Sequence, residues 1–188
     1  MKKIITLLLL AFVLTSGTFA QVRIEEVGTS RSKTVQFMET AGSFLKKETY
    51  FVCNFRGLIF NAIIVTDLKS GFKMGCLMME NNGSVILDAD ELDAAVQSLE
   101  YIKDNVLSDN PGKPTEAYYL SRDNVKLGVY SYDTLGLDKD GTKVYEWRIF
   151  VKNNNYDLSI KEFNVKHIET FIEYLKKAQV IIAEKTKL

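Results

Sequence analysis

Apolar positions alternate with polar ones in short runs through the first half of the chain, and then the period changes. Residues 49–55, 58–66 and 72–79 are rich in apolar, β-branched and aromatic side chains and read as strands. Arg56 with Gly57, and then Lys69, Ser70 and Gly71, supply turn chemistry between them. Asn81, Asn82 and Gly83 turn the chain into a short strand at 85–87. From there the spacing becomes helical. Leu92, Ala95, Val96, Leu99 and Ile102 form one apolar stripe, predicting a helix over 92–102. Asp88, three residues before Glu91, fits a capping box that starts it. Ahead of all this, 35–37 and 44–45 read as a small hairpin turning at Ala41 and Gly42.

The second half repeats the order. Strands are expected at 116–121 and 125–132, paired across Asp123 and Asn124. A longer loop spans 133–143. Strands at 146–152 and 156–160 follow, with a turn at 153–155. Asn164 is placed to cap a last helix over 168–182, whose stripe is Ile168, Phe171, Ile172, Leu175 and Ile182. A shift of 76 positions lays Asp88 on Asn164, Leu92 on Ile168, Val96 on Ile172 and Leu99 on Leu175. The two prolines of the chain, Pro111 and Pro114, fall between the halves. The pattern implies an internal duplication. The expected fold class is α+β: two tandem units, each an antiparallel β-meander followed by one amphipathic helix packed on the sheet. The expected organisation is a signal peptide at 1–20, a first unit at 21–108, a linker at 109–114 and a second unit at 115–188.

Strand parity gives an expected core. If Arg56 and Gly57 form a two-residue turn, Cys53 lies opposite Phe60. If Thr66 pairs with Phe72, Ala62 lies opposite Cys76. Phe51, Cys53, Phe60, Ala62, Ile64, Met74, Cys76 and Met78 would then share the face that the helix covers. The two cysteines would be two strands apart, roughly 10 Å, against the ~7 Å limit for bridged Cα atoms. Free, packed thiols are expected. In the second unit the same parity puts Tyr118 opposite Val129 and Leu120 opposite Leu127 on the core side. Tyr119, Tyr130 and Tyr132 then share the other face. Three tyrosines there make a candidate surface for a partner or a glycan, because Tyr joins apolar area to a polar handle.

The start of the chain has the order of a cleaved secretory signal. Lys2 and Lys3 are basic, 4–14 is apolar apart from Thr6, and Thr18 and Ala20 are the small residues before a cut at Gln21. The apolar run is too short to span the ~30 Å of a bilayer core, and no other segment is long and apolar enough to cross. A periplasmic or secreted product is expected. Without Lys2 and Lys3, the 24 basic and 24 acidic residues become 22 against 24. That balance offers no clustered basic charge for nucleic acid. The 46 % apolar content is that of a folded domain.

Catalytic chemistry finds little support. The single histidine, His167, falls in the first turn of the last helix, where no spacing suggests a nucleophile or an orienting partner. One histidine and two separated cysteines do not make a zinc set. Asp138, Asp140 and Gly141 resemble the middle of a calcium loop, but its first position would be Gly136 and its twelfth Trp147. Asp88, Asp90, Glu91 and Asp93 are explained by helix capping. No phosphate loop, nucleophile elbow or cofactor motif is present, so no metal, cofactor or catalytic residue is assigned.

The basic start, the Phe19–Ala20–Gln21 processing region, the Lys46–Lys47–Glu48 strand entry, the 71–76 strand and the 92–101 helix together resemble a group of small exported proteins of gut-type Gram-negative bacteria. That group has no established activity. The tandem sheet-plus-helix plan also resembles the β-lactamase inhibitor protein and the saddle of the TATA-binding protein. No functional residue of either maps onto this chain. The expected function is a non-enzymatic exported binding or protein-interaction module, its partner an envelope protein or a glycan. The alternatives are a periplasmic inhibitor or chaperone-like partner of an enzyme, using the 133–143 loop, or a hydrolase built from scattered carboxylates.

Overall fold

The computed structural model describes residues 31–41, 44–108, 111–153 and 158–187. The expected export signal and its cut before Gln21 lie outside the described residues, as do parts of the expected 153–155 turn and 156–160 strand.

The chain is α+β, with two four-stranded antiparallel meanders in the orders β1-β2-β3-β4 and β5-β6-β7-β8. Helix α1 (Lys33–Thr40) leads into β1 (Leu45–Phe55), β2 (Leu58–Asp67), β3 (Lys73–Glu80) and β4 (Ser84–Asp88). Then come α2 (Ala89–Tyr101) and a π-helical turn (Ile102–Val106). The second meander is β5 (Glu116–Leu120), β6 (Val125–Leu137), β7 (Lys143–Asn153) and β8 (Leu158–Asn164). A 3₁₀ turn (Val165–His167) and α3 (Ile168–Thr186) close the chain. Each sheet is thus followed by a helix, as the change of hydrophobic period predicts.

The Arg56–Gly57 hairpin forms as expected. Both central residues have positive φ, 53° and 89°, the twist-matched geometry for a two-residue loop, and Asn54 Oδ1 accepts from Gly57 N at 2.9 Å. Cys53 therefore faces Phe60. The next hairpin departs from expectation by one residue. Asp67 N donates to Phe72 O, and the loop is locked by bonds from Gly71 N to Asp67 O and from Lys69 N to Asp67 Oδ1. Thr66 consequently pairs with Lys73, and Cys76 lies opposite Ile63 rather than Ala62. A slip of one residue turns every β3 side chain to the opposite face. Leu77 and Met79 face the core, and Cys76 joins Ile63 and Val65 on the far side.

That far side has its own cover, which corrects the opening of the chain. Residues 35–37 are not a strand but part of α1. Ser32 caps it by accepting from Val35 N, and Phe37 and Met38 pack over Ile63, Val65 and Cys76. A short apolar run has too few positions to separate strand from helix by period alone.

The helices pack across the boundary between the units. α3, at the end of the second unit, lies across β1, β2 and β3 of the first. α2 packs on α3, lies against β3 and β4 of its own sheet, and reaches β5 and β6 of the second. Leu92, Ala95, Val96, Leu99 and Ile102 are buried, and so are Ile168, Phe171, Ile172, Leu175 and Ala178, in the register given by the shift of 76. One hydrophobic core joins both sheets and both helices. At its centre Phe171 lies within 5.7–6.1 Å of the rings of Phe55, Phe60 and Phe163, from β1, β2 and β8.

Both cysteines are free and buried, now on opposite faces of one sheet. A bridge would have to pass through the sheet. β2 separates their strands, as expected, and the opposite facing, which corrects the shared face, is a second reason for unlinked thiols. Burial pushes the thiols up, Cys53 to about 11 and Cys76 to about 12. At pH 8 neither is expected to react with a thiol reagent in the folded protein, and both should react in denaturant. Native-state labelling of Cys76 at the denatured rate would show that α1 does not hold its cover.

Candidate functional site

The turn between β5 and β6 decides which tyrosines share a surface. Expectation paired these strands across a two-residue turn. Instead Arg122, Asp123 and Asn124 form a three-residue loop, with Asn124 at φ 57° and Ser121 N donating to Val125 O at 2.9 Å. Ser121 Oγ also accepts from Val125 N at 2.9 Å. Leu120 then pairs with Lys126, and Tyr119 with Leu127. Tyr119 is thereby corrected to the core face, where it packs against the hydrophobic cluster and burial pushes its phenol up to about 12. Tyr118, expected in the core, stands 40 % exposed on the outer face. Tyr130 and Tyr132 are on that outer face, as expected.

This face is an aromatic field with charged margins. Tyr118, Gly128 and Phe150 form one row across β5, β6 and β7, and Glu116, Tyr130 and Arg148 form the next. The rings of Tyr118 and Phe150 lie 6.4 Å apart, Phe150 and Tyr130 5.9 Å, and Tyr130 and Tyr132 6.3 Å. Carboxylates hold the phenols: Tyr130 Oη donates to Glu162 Oε2 and Tyr132 Oη to Glu146 Oε2, both at 2.8 Å. Burial, then Glu162, pushes the Tyr130 phenol up to about 12. Lys126 Nζ lies 4.2 Å from the Tyr118 ring centre, and Arg148 Cζ 5.0 Å from that of Tyr132. The rings are thus held by partners within the face, which lowers the ordering cost of binding.

Gly128 sets the spacing of the field. A Cβ there would collide with the Ala117 carbonyl oxygen and stand 2.6 Å from Tyr118 Cα. Those are backbone atoms of the paired strand, so β5 would have to move. Gly128→Ala is expected to cost about 1–3 kcal/mol, the range of overpacked sites. Urea unfolding checks it, and an unchanged midpoint would mean that β5 is free to shift.

A second cluster lies where the two units meet, joining the expected capping carboxylates to partners that no local pattern indicates. Asp88, expected to cap α2, is buried. Its Oδ1 accepts from Ser32 Oγ at 2.7 Å and Thr34 N at 3.0 Å, and its Oδ2 from Lys33 N at 2.6 Å and Arg122 Nη2 at 2.9 Å. Glu91 completes the other half of the capping box by accepting from Asp88 N at 3.2 Å, and its Oε1 accepts from Arg122 N at 2.7 Å. Arg122 also binds Asp90. Burial works to raise the Asp88 carboxyl, but the donors from Ser32, Thr34 and Lys33 outweigh it and leave it below its ordinary value. The Arg122 guanidinium holds Asp90 well below the carboxylate range. The cluster is a latch between α1, α2 and the β5–β6 loop. No spacing along the chain brings Arg122 to Asp88, so only the fold reveals it.

His167 ends the 3₁₀ turn, half-buried, with its ring edge-on to Phe55 at 6.1 Å. Burial, then Arg56, lowers its pKa. No group of three or more His, Cys, Asp or Glu side chains suited to a metal occurs among the described residues. No helix among them is long and apolar enough to cross a membrane.

No protein-family model, curated protein or solved structure matches this chain.

Proposed function

We propose that the protein is an exported, non-enzymatic binding module of the cell envelope, and that it docks its partner on the outer face of the second sheet. One contrast carries this reading. The far face of the first sheet is covered by α1, whereas none of the described helices packs on the corresponding face of the second. There Tyr118 and Leu120 stand 40 % and 38 % exposed among charged neighbours. Rigid aromatic side chains beside paired charges suit recognition of an envelope protein or a glycan. The order of residues 1–20 supports export.

The test is retention of the mature protein on immobilised envelope extract and on a glycan array, compared with a Tyr118→Ala/Tyr132→Ala variant. Retention by the parent and its loss in a variant with unchanged thermal unfolding is the expected outcome. Equal retention by both would overturn the reading.

A second reading rests on the β6–β7 hairpin. It runs past β5 and β8 as a two-stranded arm, where a longer loop was expected at 133–143. Leu135 is 93 % exposed at φ 60°, held by Asp133 Oδ1, which accepts from its amide at 2.8 Å. An apolar knob on an ordered arm fits insertion into an enzyme cleft, as an inhibitor would do.

A further inference from the structure

We propose that the outer face of the second sheet pairs with the same face of a second copy of this chain, forming a two-fold sheet-on-sheet dimer. The inference rests on reading this face as a docking surface, and it adds the partner. An isologous interface must be complementary to itself. The polarity of this face along the strands has that property.

The residues of β7 on this face run Glu146, Arg148, Phe150, Lys152. Across the sheet, Lys152 pairs with Lys126, Phe150 with Gly128, Arg148 with Tyr130 and Glu146 with Tyr132. One end carries Lys152 and a Lys126 that is 17 % exposed and 3.9 Å from Glu116, the middle holds Tyr130 beside a buried Phe150, and the other end carries Glu146. A two-fold axis between the stacked sheets, perpendicular to the strands, keeps each strand over its own copy and reverses its direction. Lys152 then lies over Glu146 of the second copy. Lys126 lies over Tyr132 of the second copy. Each contact occurs twice, and each joins a cation to a carboxylate or a ring.

Size sets the strength. Four strands ~4.8 Å apart and five residues long at ~3.4 Å each cover roughly 300 Å². A standard interface buries ~800 Å² per partner. The dimer is expected to be weak and concentration-dependent.

Sedimentation of the mature protein from micromolar to about 1 mM reads it directly. The mass average should rise toward twice the monomer mass. Lys152→Glu and Glu146→Lys should each weaken self-association at least tenfold, because each places like charges over each other twice. An equimolar mixture of the two variants should restore association, since both cross-contacts are again between opposite charges. Damage to the fold could not produce that rescue. A monomer across the whole range, or a mixture no stronger than either variant alone, overturns the proposal. The outcome is separable from the docking reading. A monomeric protein whose envelope retention depends on Tyr118 and Tyr132 would remove only the second copy as partner, and a rescued dimer with no envelope retention would remove only the envelope partner.

Discussion

Asp88→Ala is expected to cost about 3–5 kcal/mol, the range for removing one partner of a buried charge pair. The side chain of Asp88 is 2 % exposed and that of Arg122 26 %. The substitution strips acceptors from Ser32 Oγ, Lys33 N, Thr34 N and Arg122 Nη2 together, so α1, α2 and the β5–β6 loop all lose their common anchor. The partial exposure of Arg122 places the cost toward the lower end, because water can solvate the stranded guanidinium. Stability should also depend on acid. Asp88 lies below its ordinary 3.8 in the fold. Its contribution is full above that value and is lost as pH falls through the folded pKa. Urea midpoints from pH 7 to pH 2 should show a smaller acid loss in Asp88→Ala than in the parent. A cost under ~1 kcal/mol at pH 7, with an unchanged acid limb, would mean that the latch is not a joint between the units.

Phe171→Ala should be as damaging, about 3–5 kcal/mol, because deleting a buried aromatic ring leaves a cavity that its neighbours fill only in part. Phe171 is fully buried and touches rings from both sheets. The loss should therefore loosen both sheets in one transition. Val180→Ala, on the same helix but 56 % exposed, should stay within about 0.5 kcal/mol. Calorimetry of the two variants separates the possibilities. If Phe171→Ala unfolded the second meander and left the first intact, the single shared core would have to be given up.

Leu99 belongs to the helix expected to cover the first sheet. Leu99 is fully buried, as its stripe predicts, but Cys76 is on the opposite face of the first sheet and cannot be its neighbour. α3 lies across that sheet beside α2, which lies against β3 and β4 of it. An apolar stripe says that a helix has a buried side. It does not say which sheet covers it, because burial of apolar area is non-directional.

Local pattern was enough for the α+β class, the two meanders, the two helices with their buried stripes, the Arg56–Gly57 hairpin and the capping box at Asp88. These depend on interactions within a few residues: hydrophobic period, turn conformers and helix-end hydrogen bonds. Strand register and helix docking came from contacts distant in the chain. Hairpin loops one residue longer than expected set which faces Cys76 and Tyr119 occupy, since strand side chains alternate and a single step reverses them all. Docking, rather than chain order, assigned α3 to the first sheet and brought Arg122 to Asp88 from 34 residues away. It also left Tyr118, Tyr130 and Tyr132 together on a face that no described helix covers. Contacts between residues far apart in the chain form only when the chain has closed on itself, and no local pattern records them.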